Sequence, residues 1–328
     1  MMNFTALQPY LDSAFASRRE TLASAAETAF RLFNGFYEGY PALVLDVYGK
    51  TLLIHDYSDE PNQELISRLV DYLRNGLGWL RAGILKTRNG KTQESKRGQI
   101  LFGEPDKKIK EHHVWYAIDL TMNRDASFYL DTSNLRKWLI ENSKDKTVLN
   151  TFAYTGSLGV AAMAGGASKV VQTDRNKNFL SLAKDSYSLN HFPIQKQNFI
   201  TQDFFPAVSR FKAGKQTFDC VIIDPPIFSS TSKGKVDLEH ESVRLINKVR
   251  PLINDGGALI SINNGVYVSG KEYMQVLEEL CKDGYLSIRE LIPAPESFIG
   301  YNKIGKPITD PSPFNHSTKI VVLDVKKK

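Results

Sequence analysis

Residues 148–162 read Val-Leu-Asn-Thr-Phe-Ala-Tyr-Thr-Gly-Ser-Leu-Gly-Val-Ala-Ala, and the fold class turns on them. A short apolar strand, Val148-Leu149, runs into Asn150. A tight turn follows, Tyr154-Thr155-Gly156-Ser157-Leu158-Gly159, and a helix of small residues begins near Val160. Strand, glycine turn and helix start together form a cradle of the kind that holds a nucleotide-like cofactor. Glycine lets the backbone take positive φ and approach a ligand closely. The first N–H groups of a helix have no partner within it and suit an electronegative group. The same local pattern occurs in α/β proteins that bind nothing, so its weight depends on the rest of the chain.

Downstream, apolar segments recur with helical patterns between them. The strands are expected at Lys169–Thr173, Asn198–Thr201, Cys220–Ile223 and Ala258–Ile262. Helices are expected near 132–142, 158–165, 176–190, 204–211, 237–253 and 271–283. Such alternation calls for a parallel sheet with helices on both faces. Tyr285–Ile292 and Lys319–Val325 have no helical pattern between them. They predict an antiparallel edge strand added to that sheet.

In open α/β sheets ligands sit beyond the carboxyl ends of the strands. The residues at those ends are Asn150, Asp174, Asp203 followed by Phe204, and Asp224 followed by Pro225 and Pro226. Asp174 stands where a carboxylate can accept both hydroxyls of a ribose. Asp203 can accept from an adenine amino group, with Phe204 over the ring. Any one of these could be a helix cap or turn residue; four on successive strands argue for a site. The two prolines remove N–H donors and rigidify the loop after Asp224.

Upstream, residues 6–28 carry a helical apolar pattern, followed by short strands near 29–33, 42–47 and 51–56. A helix near 62–76 and strands at 82–87 and 114–120 complete an α+β module. Residues 88–111 hold Arg88, Lys91, Lys96, Arg97, Lys107, Lys108 and Lys110. They read as a phosphate-contacting arm or as a solvated hairpin. The domain division is expected at 1–122 and 123–328. A net charge of +6 over 328 residues is compatible with a phosphate-rich partner. The two cysteines, Cys220 and Cys281, lie far apart with no Cys-x-x-Cys spacing, so neither a zinc site nor a disulfide framework is expected. No signal peptide or membrane-spanning run is apparent, and a cytoplasmic protein is expected.

These stretches resemble class I S-adenosylmethionine-dependent methyltransferases. More narrowly, the chain is similar to the bacterial large-subunit rRNA methyltransferases that make 5-methylcytosine or N7-methylguanine. The resemblance rests on Arg31–Gly35, Leu45–Gly49, Phe128–Asp131, the 148–162 stretch, Asp174, FDCVIIDPPIF at 218–228 and GGALISINN at 256–264. It implies an α/β fold: a Rossmann-like methyltransferase sheet with an antiparallel last strand, preceded by a smaller α+β domain that is a candidate RNA binder. It implies S-adenosylmethionine as cofactor. Asn150, Tyr154, Thr155, Gly156 and Ser157 would hold its methionine end. Asp174 would take the ribose, Asp203 and Phe204 the adenine, and Asp224 would lie beside the methyl group. Phe152, Leu158 and Arg175 would be further cofactor contacts. The family's frequent Arg two residues after Leu-Asp is replaced here by Ser133, the next Arg being Arg136.

Methylation at cytosine C5 needs a thiolate nucleophile, carried in such relatives by a Ser-Cys-Ser segment after the fifth strand. Here that segment is Ser261-Ile262-Asn263-Asn264-Gly265. Asn263 and Asn264 resemble the guanine-N7 branch, in which the nitrogen lone pair needs only alignment. The expected activity is therefore RNA methylation at a base nitrogen such as guanine N7, with Asp224, Pro225, Pro226, Asn263 and Asn264 as the catalytic set. Cytosine-C5 or adenine-amino methylation, and an RNA-binding protein with a degenerate methyltransferase fold, are the alternatives. Substrate contacts are expected from Phe228, Lys233 and Lys235. Tyr301 and Lys303, on the long connection 293–317, are expected beside the same edge. A homodimer is left open.

Overall fold

The computed structural model describes residues 3–23, 27–60, 62–90, 92, 95, 97–231, 234–237 and 241–327. Lys91, Lys96 and Lys233 lie outside the described residues, as does part of the helical pattern at 6–28. The chain packs as two compact units, Met1–Leu130 with Pro295–Lys306, and Asp131–Ala294 with Pro307–Lys328. The division therefore falls beyond residue 122, and part of the long connection is returned to the first unit.

The first unit starts with helices α1 (Phe4–Ser17) and α2 (Arg19–Ala23). Asn3 caps α1, accepting the Ala6 N–H at 2.9 Å. There follow β1 (Ala29–Asn34), α3 (Gly35–Glu38), β2 (Leu43–Tyr48), β3 (Thr51–Asp56), α4 (Gln63–Gly76), β4 (Ala82–Thr87) and β5 (Gln99–Phe102). The five strands are hydrogen-bonded in chain order. Only β3 and β4 are parallel, because α4 carries the chain across between them. Leu7, Leu11, Leu69 and Leu73 from the helices pack with Leu45, Val47, Leu52 and Ile54 from the sheet. The alternate strand positions include Arg31 and Asp46, which form a two-pronged ion pair at 2.8 and 3.1 Å. The Arg31 guanidinium and His55 hold the Asp46 carboxyl down at about 2 against the opposing effect of burial. A separate hairpin, β6 (Lys108–Glu111) and β7 (Val114–Ala117), completes this part of the unit.

The second unit holds α5 (Ser133–Asn142), β8 (Thr147–Thr151), α6 (Ser157–Ala164), β9 (Lys169–Asp174), α7 (Lys177–Leu189), β10 (Phe199–Thr201), α8 (Phe204–Ala213) and β11 (Phe218–Ile223). It continues with the hairpin β12 (Phe228–Thr231) and β13 (Gly234–Asp237), then α9 (Ser242–Val249), β14 (Ile253–Asn263), α10 (Gly270–Cys281), β15 (Leu286–Ile292) and β16 (Lys319–Val325). The sheet order is β10-β9-β8-β11-β14-β16-β15. All strands run parallel except β16, which is antiparallel to both neighbours. Helices cover both faces: Leu245 and Tyr273 of α9 and α10 belong to one core, Leu135 and Leu158 of α5 and α6 to the other. Among the described residues no helix is long and apolar enough to cross a membrane.

One expectation needs correcting. The antiparallel last strand is not at the edge: β16 is inserted between β14 and β15. Six of its seven residues are buried, whereas β15 exposes Ser287, Arg289 and Glu290. The continuous apolar run of β16 is stable only with a strand on each side.

The returned segment carries α11 (Glu296–Ile299). Arg18 and Glu38 of the first unit form a fully buried two-pronged pair at 2.8 and 3.0 Å. Arg18 also donates to the Ser297 carbonyl, and Glu38 accepts from the Tyr301 N–H. A side chain at Gly300, whose φ is +112, would come within 2.9 Å of Glu38.

Candidate active site at the strand ends

The register brings the carboxyl ends of the parallel strands into one row. Thr151 pairs with Thr173 on one side and Ile223 on the other, and Ile223 pairs with Ser261. One residue further on, Phe152, Asp174 and Asp224 follow in line, and Thr201 lies opposite Asp174. Asn150, Asp174, Asp203, Asp224 and Asn263 are thus gathered along one edge, each by the strand it ends or follows.

The turn after β8 is backbone-strained. Phe152 and Tyr154 take left-handed conformations, with φ of 53° and 50°, ahead of Gly156 at 78°. Two non-glycine residues in that region cost about 1–3 kcal/mol each and need fixing from outside. Asp174 supplies that: its Oδ2 accepts the Tyr154 N–H at 2.9 Å and its Oδ1 the Asn176 N–H at 2.8 Å. Burial pushes the Asp174 carboxyl up, and these N–H groups pull against it. Each oxygen retains acceptor capacity for a further donor.

The glycines also answer a packing demand that their spacing does not report. A Cβ on Gly159 would lie 2.5 Å from Gln172 Cδ, and one on Gly156 would lie 2.5 Å from Ala183 Cβ. They let the turn close over buried Gln172 of β9. Gln172 Oε1 accepts from Asn150 Nδ2 at 3.2 Å, leaving Asn150 Oδ1 buried with no hydrogen-bond partner. The first helical bond of α6 runs from the Val160 N–H to the Gly156 carbonyl, so the N–H groups of Ser157, Leu158 and Gly159 precede any intrahelical acceptor. Half-buried Tyr154 meets Phe179 edge-on at 4.5 Å, while Thr155 and Leu158 are buried. Acceptors at Asn150 and Asp174 and donors at the start of α6 suit a ligand bearing an amino-acid head and a ribose diol.

Asp203 caps α8, its side chain accepting from the Phe205 N–H. Phe204 is 5% exposed and stacks on Phe152, with centroids 4.6 Å apart and planes inclined by 19°. Phe204 is therefore a core residue, and the half-buried ring of the pair is Phe152. Exposed Arg175 reaches Ser229 of the β12–β13 hairpin at 3.4 Å. Phe228, at the start of that hairpin, is 61% exposed. Of Lys235 the backbone alone is described, paired with Ser230.

Asp224 follows β11, with Pro225 buried and Pro226 exposed. Burial, then the neighbouring Asp131, pushes its carboxyl up to about 7. Asp131 Oδ2 accepts from the Thr318 hydroxyl at 2.7 Å. Asn263 is turned inward at 1% exposed, and its Oδ1 accepts the Gly265 N–H at 3.0 Å. Asn263 therefore shapes the turn, whereas Asn264 Oδ1 is buried without a hydrogen-bond partner. Beneath this turn Lys319, which faces Asn263 across β14 and β16, is fully buried. Its ammonium donates to the carbonyls of Gly265 at 2.9 Å and Ser317 at 2.7 Å, and burial lowers its pKa to about 8.

Cys220 lies within β11, 3% exposed, with its thiol pushed up to about 12 by burial. Cys281 ends α10 and its thiol is also raised by burial. Tyr301 and Lys303 belong to the first unit, where the Arg18 guanidinium sits 5.0 Å from the Tyr301 ring centroid and Lys303 is exposed. Sequence reasoning missed three contributors: Gln172, Lys319 and the pairing of Asp131 with Asp224. A lone lysine opening the apolar run of β16 was the one available signal for Lys319.

The family model for S-adenosylmethionine-dependent methyltransferases matches residues 45–298. The chain is 29% identical over 271 residues to ribosomal RNA large subunit methyltransferase K/L of Colwellia psychrerythraea, covering 77% of this chain and 37% of that protein. It is 26% identical over 281 residues to ribosomal RNA large subunit methyltransferase I of Vibrio vulnificus, covering 83% and 70% respectively. The chain thus spans little more than a third of the first relative and about two-thirds of the second. In fold it is similar to SMU.776 complexed with SAH, at a TM-score of 0.84 and 22% identity, covering 99% of this chain and 82% of that one. The matched span takes in every strand end described above, from Asn150 to Asn264. The chain belongs to the S-adenosylmethionine-dependent methyltransferase family, and S-adenosylmethionine is its cofactor.

Proposed function

We propose that the chain methylates large-subunit ribosomal RNA at guanine N7, without a covalent intermediate. The RNA class follows the rRNA methyltransferases to which the chain is similar. The base and atom are supported above all by Cys220: a thiol buried inside β11 and raised to about 12 is no nucleophile for cytosine C6. Guanine N7 needs only alignment and exclusion of water.

The residues fit the cofactor. The α6 N–H groups and Asn150 Oδ1 would hold the amino-acid end, and Asp174 the ribose hydroxyls. Asp203 with the Phe152 ring would take the adenine. The cofactor supplies an electrophilic methyl group. Asn264, with its unpartnered Oδ1, would accept from an amino group on the base edge.

A second reading is favoured by Asp224. A carboxyl titrating near neutrality can take a proton from an exocyclic amino group, which points to adenine-amino methylation. Nucleoside mass spectrometry of rRNA incubated with the protein and cofactor decides among these. N7-methylguanosine supports the proposal, and N6-methyladenosine replaces it with the second reading. 5-Methylcytidine, or loss of transfer in a folded Cys220→Ala variant, overturns the cysteine-free mechanism.

A further inference from the structure

We propose that the β6–β7 hairpin is a stacking platform for single-stranded RNA, centred on Trp115. The inference rests on the RNA substrate proposed above and gives the first unit a defined part in binding it. The hairpin turns through His112 and His113, both left-handed at φ of 50° and 67°, the two-residue geometry that matches strand twist. Alternation then separates its faces. Ile109, Val114 and Tyr116 are buried, and Tyr116 meets Phe128 at 4.9 Å. Lys108, Lys110 and Trp115 are not buried. Lys110 pairs directly across from Trp115, and Lys108 is two residues away on the same face.

Both ammonium groups approach the same indole. Lys108 Nζ lies 4.5 Å and Lys110 Nζ 5.2 Å from the Trp115 ring centroid. Neither lysine is paired with a carboxylate among the described residues, whereas neighbouring Lys107 reaches Glu104 at 3.1 Å. Two like charges gathered on one aromatic ring match a base flanked by phosphates. The ring offers sequence-tolerant stacking, and the ammoniums move to the backbone oxygens. A protein partner of this patch would have to be acidic, and nothing else in the hairpin selects for one. The hairpin is held to its own unit by the Lys110 N–H, which donates to the Glu27 carbonyl at 2.7 Å. Stacking on it therefore costs little ordering.

The test uses the full chain with Trp79 and Trp138 replaced by phenylalanine, which leaves Trp115 as the one tryptophan of three. Single-stranded oligouridylate should quench its emission, and the corresponding duplex should not. In the otherwise unaltered chain, Trp115→Ala should weaken oligouridylate binding roughly tenfold by anisotropy. A Lys108→Gln/Lys110→Gln pair should reduce the salt slope by about 1.4. Cofactor affinity should stay unchanged in both variants. Unquenched emission together with wild-type binding by Trp115→Ala overturns the platform, while methyl transfer to rRNA by the unaltered chain leaves the functional proposal standing. A chain that transfers no methyl group to any RNA overturns both.

Discussion

The Lys319 ammonium donates at 2.9 Å to the Gly265 carbonyl, fastening the turn that carries Asn263 and Asn264 to the first residue of β16. The contact is fully buried and holds its positive charge with carbonyls alone among the described residues. Lys319→Met would strand two carbonyls, a loss of about 1–3 kcal/mol each. It would also remove the desolvation cost of an ammonium whose pKa has fallen from about 10.4 to about 8, a gain on the order of 3 kcal/mol. These terms oppose each other, so we predict a change in unfolding free energy within about 3 kcal/mol at pH 7. The turn, however, is released, and methyl transfer should fall at least tenfold at saturating cofactor, with cofactor affinity retained. Urea denaturation and single-turnover rates check the two halves. A variant as fast as the parent would show that the turn does not need its anchor.

Asp224 makes stability depend on pH. Its folded pKa, raised to about 7 by burial and Asp131, exceeds the unfolded value of about 3.9. A raised pKa contributes stability that is fully present below the unfolded value and lost as pH rises through the folded one. In the absence of cofactor, the contribution of Asp224 should therefore decline between pH 4 and 7. Asp224→Asn cannot ionise and should remove this component. Urea midpoints measured across that window for both proteins test it. Parallel pH profiles would mean that neither burial nor Asp131 raises the Asp224 carboxyl in the folded chain.

The same carboxyl should distinguish the cofactor from its demethylated product. S-Adenosylmethionine carries a sulfonium charge, and S-adenosylhomocysteine does not. A cation brought near a half-protonated carboxyl lowers its pKa. At pH 7, where Asp224 is about half protonated, uptake of S-adenosylmethionine should release on the order of half a proton. Uptake of S-adenosylhomocysteine should release far less. Calorimetry in buffers of differing ionisation enthalpy reads this directly, and Asp224→Asn should abolish the difference. Equal release with both ligands would place Asp224 away from the sulfonium.

Much of this arrangement was legible in the sequence, for a physical reason. Parallel strands buried on both faces must be short apolar runs, and VVQTD and CVIID each end abruptly in a carboxylate. The strand-end positions of Asp174, Asp203 and Asp224 followed from that. The placement of β16 was also encoded, since KIVVLDV is mostly apolar while LSIRELI carries Ser287, Arg289 and Glu290 in its middle. The weight given to the helix-free connection between them hid it. The return of Pro295–Lys306 to the first unit was not legible. It depends on Arg18 and Ser297, which are 279 residues apart, and no local periodicity reports a pairing at that distance. The glycine spacing did not report a second demand on the turn. Gly156 takes the positive φ that its position suggested, at 78°, and a Cβ on Gly156 or Gly159 would also meet side chains behind the turn, Gln172 among them.

That requirement can be tested through its cause. Gly159→Ala would set a methyl group 2.5 Å from Gln172 Cδ, well inside contact distance. Overpacking of this kind costs about 1–3 kcal/mol. Since Gln172 also holds Asn150, the variant should lose cofactor affinity along with stability. Shortening the obstacle should reverse the stability loss: Gly159→Ala/Gln172→Ala should be more stable than Gly159→Ala alone, a coupling of about 1 kcal/mol or more in a double-mutant cycle. Gly156→Ala should not be rescued by Gln172→Ala. Its φ of 78° stays unfavourable for an L-residue, and Ala183 Cβ still stands 2.5 Å away. Thermal unfolding of the five variants, including Gln172→Ala alone, separates crowding from backbone strain. Additive effects at Gly159 and Gln172 would show that Gln172 is not what requires that glycine.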